Sequence, residues 1–88
     1  MSQTARMEAL INIRTALGLS QAGMAYQLEM TIREYQALEW GEREVPNVYL
    51  WAAERLAMGQ AVHEKDPRIA PAAIRQEALM LARMSGAG

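Results

Sequence analysis

The 88-residue chain has no cysteine, which excludes disulfide bonds, zinc sites with thiolate ligands and catalysis by a thiol. It also has no apolar run near the ~20 residues that cross a bilayer. The first residues lack a basic segment followed by an apolar one, so we expect no signal peptide, no membrane partner and a cytoplasmic location. The single histidine, His63, lies in a charged connector. We expect it at the surface and interpret it neither as a metal ligand nor as a catalytic base.

An excess of positive charge is missing as well. The net charge is -1 and the isoelectric point is near 5.8, unlike the basic balance typical of a small nucleic-acid binder. The charge is unevenly distributed, since residues 29–44 carry two arginines against five glutamates and residues 67–88 carry three arginines against one glutamate. Any surface that binds anions must therefore be local.

Helical periodicity is the main signal that the chain does contain. Hydrophobic residues make up 51 % of it, enough for one folded domain that buries roughly 60 % of its unfolded surface. Leu10, Ile13 and Leu17 recur at i, i+3 and i+7, which predicts the inner face of a first helix that Gly18 ends. No alternating strand pattern persists beyond a few residues, so the predicted fold class is all-α.

Residues that begin and end helices divide the rest of the chain. Ser20 is a good N-cap, and Thr31 with Glu34 three residues later has the spacing of a capping box. Asn47 is another possible cap, and Pro71 suits a first helical turn. Four further helices follow from these signals: Gln21–Leu28, Ile32–Trp40, about Tyr49–Gly59 and about Pro71–Met84.

The two short central helices, joined by a tight turn, predict a helix-turn-helix at about residues 20–41. Here the chain resembles a known family, the Cro/lambda-repressor-type (XRE-family) DNA-binding domains. The resemblance covers about residues 10–59 without a gap and implies a five-helix fold, with a DNA-binding domain over residues 1–62. Residues 63–88 would then form a connector, a C-terminal helix and a frayed tail. The resemblance depends on Ile13-Arg14, Gly18-Leu19-Ser20-Gln21, Met24-Ala25, Leu28, Thr31, Tyr35, Leu38-Glu39, Gly41 and Pro46.

The resemblance also implies roles for individual residues. Gln21 matches a position that contacts backbone phosphate at a helix N-terminus, and Arg43 is placed for a second phosphate contact. Arg33 is the best candidate for reading a base, because its guanidinium suits guanine O6 and N7. Arg14 and Glu39 match a partly buried salt bridge between the first and third helices. The positions expected to face the major groove are Thr31, Ile32, Arg33, Gln36 and Ala37.

Three features depart from the family pattern. Glu29 replaces a turn glycine that often has positive φ, which predicts strain of up to ~1 kcal/mol. Trp40 replaces a small polar residue. Acidic residues gather near the expected DNA surface, where they repel phosphates unless arginines neutralise them; these residues are Glu34, Glu42 and Glu44.

These observations favour a sequence-specific transcriptional regulator, a repressor that binds an inverted repeat of double-stranded DNA as a homodimer. The sequence contains no glycine loop for phosphates, nucleophile–base pair or metal cluster, so we expect neither an enzyme nor a cofactor. The C-terminal helix is expected to cover the core or form the dimer through Ile74, Leu79, Leu81 and Met84. One alternative is a protein–protein adaptor of the same fold without DNA binding, and a weaker one is an acidic mimic of nucleic acid.

Overall fold

The computed structural model describes residues 2–86, and this part of the chain is all-α without a strand. No helix in residues 2–86 has the length and hydropathy needed to cross a membrane. A 3-10 turn, Pro67–Ile69, lies between the last two α-helices. The five α-helices are α1 (Gln3–Leu17), α2 (Gln21–Gln27), α3 (Ile32–Glu39), α4 (Asn47–Glu64) and α5 (Ala72–Met84).

The starts of α2 and α3 and the end of α1 lie where capping chemistry predicts. The Ser20 side chain accepts a hydrogen bond of 3.0 Å from the backbone N–H of Gly23, so one free donor of the first turn of α2 is satisfied. Thr31 and Glu34 form both halves of a capping box at the start of α3. Gly18 ends α1 with φ of 71°, a conformation that costs glycine little.

The core lies between α1, α2, α3 and α4. Along α4, Ala53, Ala57 and Ala61 recur every four residues and are all buried, so at these positions the neighbouring elements can approach the helix closely. Tyr35 of α3 is fully buried at the centre. The larger aliphatic side chains of the core are Leu10, Ile13, Met24, Leu28, Leu38, Val45 and Leu50.

Two expected boundaries of the fourth helix are wrong. Asn47 is not the cap, because Pro46 occupies that position and makes no side-chain cap. The helix continues through Gly59 to Glu64, since a glycine inside a helix costs only ~1 kcal/mol. It ends at Lys65, which adopts a left-handed φ of 57° and donates its N–H to carbonyls one turn back. The predicted domain boundary at residue 62 thus falls inside α4, and His63 is exposed in its last turn.

The expectation that the C-terminal helix covers the core is also wrong. No residue of α5 is buried, and the hydrophobic core contains none of its side chains. The described chain is elongated, with extents of 44 × 27 × 18 Å and a radius of gyration of 13.7 Å, against about 12 Å for a compact chain of this length. Of the predicted frayed tail, Ser85 caps α5, and residues 87–88 lie outside the described part.

Candidate nucleic-acid interface

The turn between α2 and α3 sets the angle at which α3 is presented. The N–H of Met30 donates to the carbonyl of Ala25 at 3.0 Å, and the N–H of Glu29 donates to Tyr26 at 3.1 Å. This reversal requires one left-handed residue, which is Glu29 with φ of 57°. The expectation of positive φ at this position is confirmed. The turn therefore includes the local strain of a side chain where glycine is favoured.

A buried polar cluster fixes α3 to α1 and α2. Arg14 donates to both carboxylate oxygens of Glu39, from Nε at 2.7 Å and from Nη2 at 3.1 Å. The Tyr35 hydroxyl donates to Glu39 Oε2, and Gln21 Nε2 donates to Oε1 at 3.1 Å. Each oxygen thus accepts two hydrogen bonds, which fills the capacity of the carboxylate. The salt bridge expected between Arg14 and Glu39 is present, within a larger network.

The same cluster keeps Glu39 ionised although it is only 6 % exposed. Burial opposes the charged form, but the hydrogen bonds from Arg14, Tyr35 and Gln21 outweigh it, so the pKa of Glu39 is lowered. Burial raises the pKa of Tyr35, and its hydrogen bond to Glu39 raises it further. A charged Glu39 and a neutral Tyr35 therefore hold α3 in one orientation at neutral pH.

Four of the five predicted groove-facing residues reach the surface of α3. Thr31, Ile32 and Arg33 are exposed, and Gln36 is half-buried. Ala37 is a correction, because it is buried and its methyl group has no access to a base edge. After α3 the chain turns, and the backbone N–H groups of Glu42 and Arg43 donate to the Ala37 carbonyl at 2.9 and 3.2 Å.

Arg33 is exposed, but its guanidinium has an acidic partner. Its Nη2 lies 2.7 Å from both carboxylate oxygens of Glu42. The guanidinium carbon is 5.8 Å from the centre of the Trp40 ring, within the range of a cation–π contact. The hydrogen bond to Glu42 raises the pKa of Arg33 and lowers that of Glu42. The charge of Glu42 is thus neutralised by Arg33. The same contact engages the Arg33 guanidinium, which is the best candidate for reading a base.

Gln21 and Gln36 form a relay from the buried cluster to the surface. Gln36 Nε2 donates to Gln21 Oε1 at 3.1 Å, while the amide of Gln21 itself donates to Glu39. Gln21 therefore orients Gln36 instead of presenting its own amide to a phosphate. Among the described residues, the Gln36 carbonyl oxygen and its second N–H have no hydrogen-bond partner. These are the two groups that pair with adenine.

Sequence reasoning missed the residue that anchors the loop after α3. Gln3, in the first turn of α1, donates to the carbonyl of Arg43 at 3.0 Å and accepts from the N–H of Val45 at 3.2 Å. Arg6 adds a weaker contact of 3.4 Å to the Val45 carbonyl. All three contacts span about 40 residues, so no local pattern reveals them. They hold the loop so that the exposed side chain of Arg43 stays next to the end of α3.

The interface offers hydrogen-bonding and charged groups. Within residues 2–86, no group of three or more histidine, cysteine, aspartate or glutamate residues is arranged to bind a metal ion. Its donors are Arg33, Gln36 and Arg43, with Ile32 as an apolar neighbour. Such a surface can bind the edge of a base pair and a phosphate. Comparisons with family models, with curated proteins and with solved structures find no match to this chain.

Proposed function

We propose that the protein is a sequence-specific DNA-binding regulator of the Cro/lambda-repressor type that acts by binding alone. One observation carries the proposal: α3 is held rigidly from behind by the Arg14–Glu39 cluster while its front presents Ile32, Arg33 and Gln36. Backbone and side chains that are fixed before binding lose little entropy when they read a base edge. Arg33 then contacts guanine, Gln36 contacts adenine and Ile32 contacts a thymine methyl group.

The remaining residues have supporting roles in this proposal. Arg43 and the start of α2 contact phosphates, and Thr31 is committed to capping α3. One such domain makes too few contacts for useful specificity, so the working form is a homodimer on an inverted repeat with half-sites about one helical turn apart. We infer that it represses transcription in the cytoplasm and regulates its own gene.

A fluorescence-anisotropy titration tests the proposal. The DNA comes from upstream of the protein's own gene, with a scrambled duplex of equal composition as the control, at two salt concentrations. We expect tight binding to the native duplex only, with an affinity that falls as salt rises because phosphate contacts release counterions. Equal, weak binding to both duplexes contradicts sequence-specific recognition of this DNA.

A second candidate is a protein–protein adaptor of the same fold, and the Arg33–Glu42 contact favours it. An arginine already paired with a carboxylate is a poorer anion ligand, and an acidic rim repels DNA. The two candidates differ in their response to Arg33→Ala. An adaptor shows no DNA binding at low salt with or without the substitution and keeps its partner binding in Arg33→Ala. A regulator binds DNA, and Arg33→Ala loses that binding.

A further inference from the structure

An apolar groove of about 450 Å³ lies between the end of α4, the 3-10 turn and the start of α5. Ala61 and Ala70 are buried and form its floor, while Val62 of α4 and Leu79 of α5 line it and are 72 % and 58 % exposed. This volume is in the range of sites for small molecules. None of the lining residues lies on α2 or α3, so the proposed DNA recognition does not use the groove.

The charged groups of the groove have one sign. Among the described residues that line it, Lys65 and Arg75 are the charged ones, and neither makes a salt bridge within residues 2–86. The Arg75 guanidinium donates to the Pro67 carbonyl at 3.3 Å, which leaves its charge uncompensated. Glu54 borders a separate hollow that Arg75 also lines, without an ion pair between them. An anionic group is therefore complementary to the groove.

The cations and the apolar side chains lie at different ends of the groove. Lys65 is the first residue after α4, and Arg75 is in the first turn of α5, so both cations lie near the connector that joins the two helices. Met58 precedes Lys65 by seven residues, which extends the apolar wall about 10 Å from that end. Leu79 follows Arg75 by one turn and lines the groove as well. The groove thus matches a molecule with an anionic head and an apolar tail.

The size of the groove favours a single apolar chain over a peptide helix. Two turns of an α-helix, about 10 Å wide and about 11 Å long, occupy nearly twice the volume of the groove. An extended acyl chain is much thinner and can follow the apolar wall over its whole length. Each methylene group that it buries should strengthen binding about 4-fold.

We propose that this groove is a binding site for a small amphipathic carboxylate, an acyl chain of medium length. Its carboxylate lies between Lys65 and Arg75, where the guanidinium can offer two parallel N–H donors. Its chain covers Met58, Val62 and Leu79 and removes their apolar surface from water. The site is formed within one copy of the chain and does not depend on DNA recognition.

Isothermal titration calorimetry of the full chain with decanoate, in the absence of DNA, tests the proposal. We expect one site per chain with a dissociation constant of tens of micromolar, as the binding free energy per atom of small ligands allows. Butyrate has the same carboxylate but a short tail, so it should bind at least 100-fold more weakly. Decyltrimethylammonium has the same tail and the opposite charge, so the two cations should weaken its binding at least 10-fold.

Substitutions on α5 locate the bound molecule. Leu79→Gln and Arg75→Gln should each weaken decanoate binding about 10-fold. Leu81→Gln and Arg83→Gln make the same changes at exposed residues of α5 that do not line the groove, and both should bind within about 2-fold of the natural chain. Folding is preserved because the core contains no side chain of α5, and circular dichroism checks it.

Three results would overturn the proposal. Absence of saturable binding up to about 1 mM decanoate would leave the groove to a second copy or to another protein. Equal affinity for decanoate and decyltrimethylammonium would rule out recognition of the carboxylate. Equal binding by Leu79→Gln and Leu81→Gln would place the acyl chain outside the groove.

Discussion

The guanidinium of Arg14 on α1 and the carboxylate of Glu39 on α3 are joined by two hydrogen bonds of 2.7 and 3.1 Å, although 25 residues separate them. The bond is nearly enclosed, with 4 % of the Glu39 side chain exposed and 20 % of that of Arg14. Gln21 and Tyr35 also donate hydrogen bonds to the Glu39 carboxylate. The Glu39 side chain therefore fixes how α1, α2 and α3 pack together. The orientation of the proposed DNA-reading face depends on it.

Glu39→Gln should be strongly destabilising. The amide keeps the shape of the carboxylate but removes its charge, so Arg14 loses its counterion and one acceptor position becomes a donor. Breaking one side of such a partly buried pair costs roughly 2–4 kcal/mol. Urea denaturation followed by circular dichroism at one protein concentration measures the change. Glu44→Gln, at an exposed glutamate of the following loop, is the control and should change stability by under about 0.5 kcal/mol.

The stabilisation by Glu39 should disappear in acid. Its pKa is lowered in the folded chain relative to the ordinary 4.5, so the unfolded chain binds the proton more tightly. The stabilising free energy from ionised Glu39 is therefore present above about pH 4.5, and it is lost as the pH falls through the pKa of Glu39 in the folded chain. The stability difference between the natural chain and Glu39→Gln should narrow from pH 5 to pH 3. A difference that stays constant over that range contradicts this role of the ionised carboxylate.

Glu29→Gly should stabilise the protein. Glu29 has φ of 57° in the turn before α3, and glycine adopts this conformation without the clash of a Cβ atom. The gain is about 0.5–1 kcal/mol, since the relief of strain exceeds the extra entropy of glycine in the unfolded chain. Glu29→Ala removes the same carboxylate but keeps Cβ, so it should give no such gain. Equal thermal midpoints for the two variants would show that charge, and not backbone strain, matters here.

Much of the fold could be predicted from local pattern. The apolar spacing of α1 and the capping residues Ser20 and Thr31 are properties of a few neighbouring residues, and both are found in the structure. The positive φ of Glu29 was expected from the family resemblance. The length of α4 was mispredicted because Gly59 suggested an end, whereas the tertiary contacts of its alanine side outweigh the small cost of one glycine.

The candidate site was less predictable, because its details depend on contacts across the chain. Ala37 occupies a position of the expected recognition helix, but it is buried in the folded chain. Gln3 anchors the loop at Arg43 and Val45 from about 40 residues away. The long-range pair that was predicted, Arg14 with Glu39, followed from the family resemblance. Spacing alone does not reveal it.

Glu42→Gln should increase DNA affinity. Glu42 holds Arg33 with two contacts of 2.7 Å, and in the proposed complex DNA has to displace it before the guanidinium reaches guanine. Its removal frees Arg33 and also eliminates one repulsive charge, so we expect roughly 10-fold tighter binding at low salt. Glu44→Gln makes the same change of charge without freeing Arg33, so it should tighten DNA binding by no more than about 3-fold. Equal effects of the two substitutions would rule out competition between Glu42 and DNA.

The most direct test of the account compares Arg33→Ala with Arg55→Ala, which removes an exposed arginine of α4, on the native and scrambled duplexes. We predict that Arg33→Ala loses roughly 10- to 100-fold in affinity for the native duplex and little for the scrambled one, because a base contact supplies specificity. Arg55→Ala should bind both duplexes like the natural chain. An unchanged preference for the native duplex in Arg33→Ala would contradict the assignment of α3 as the reading helix.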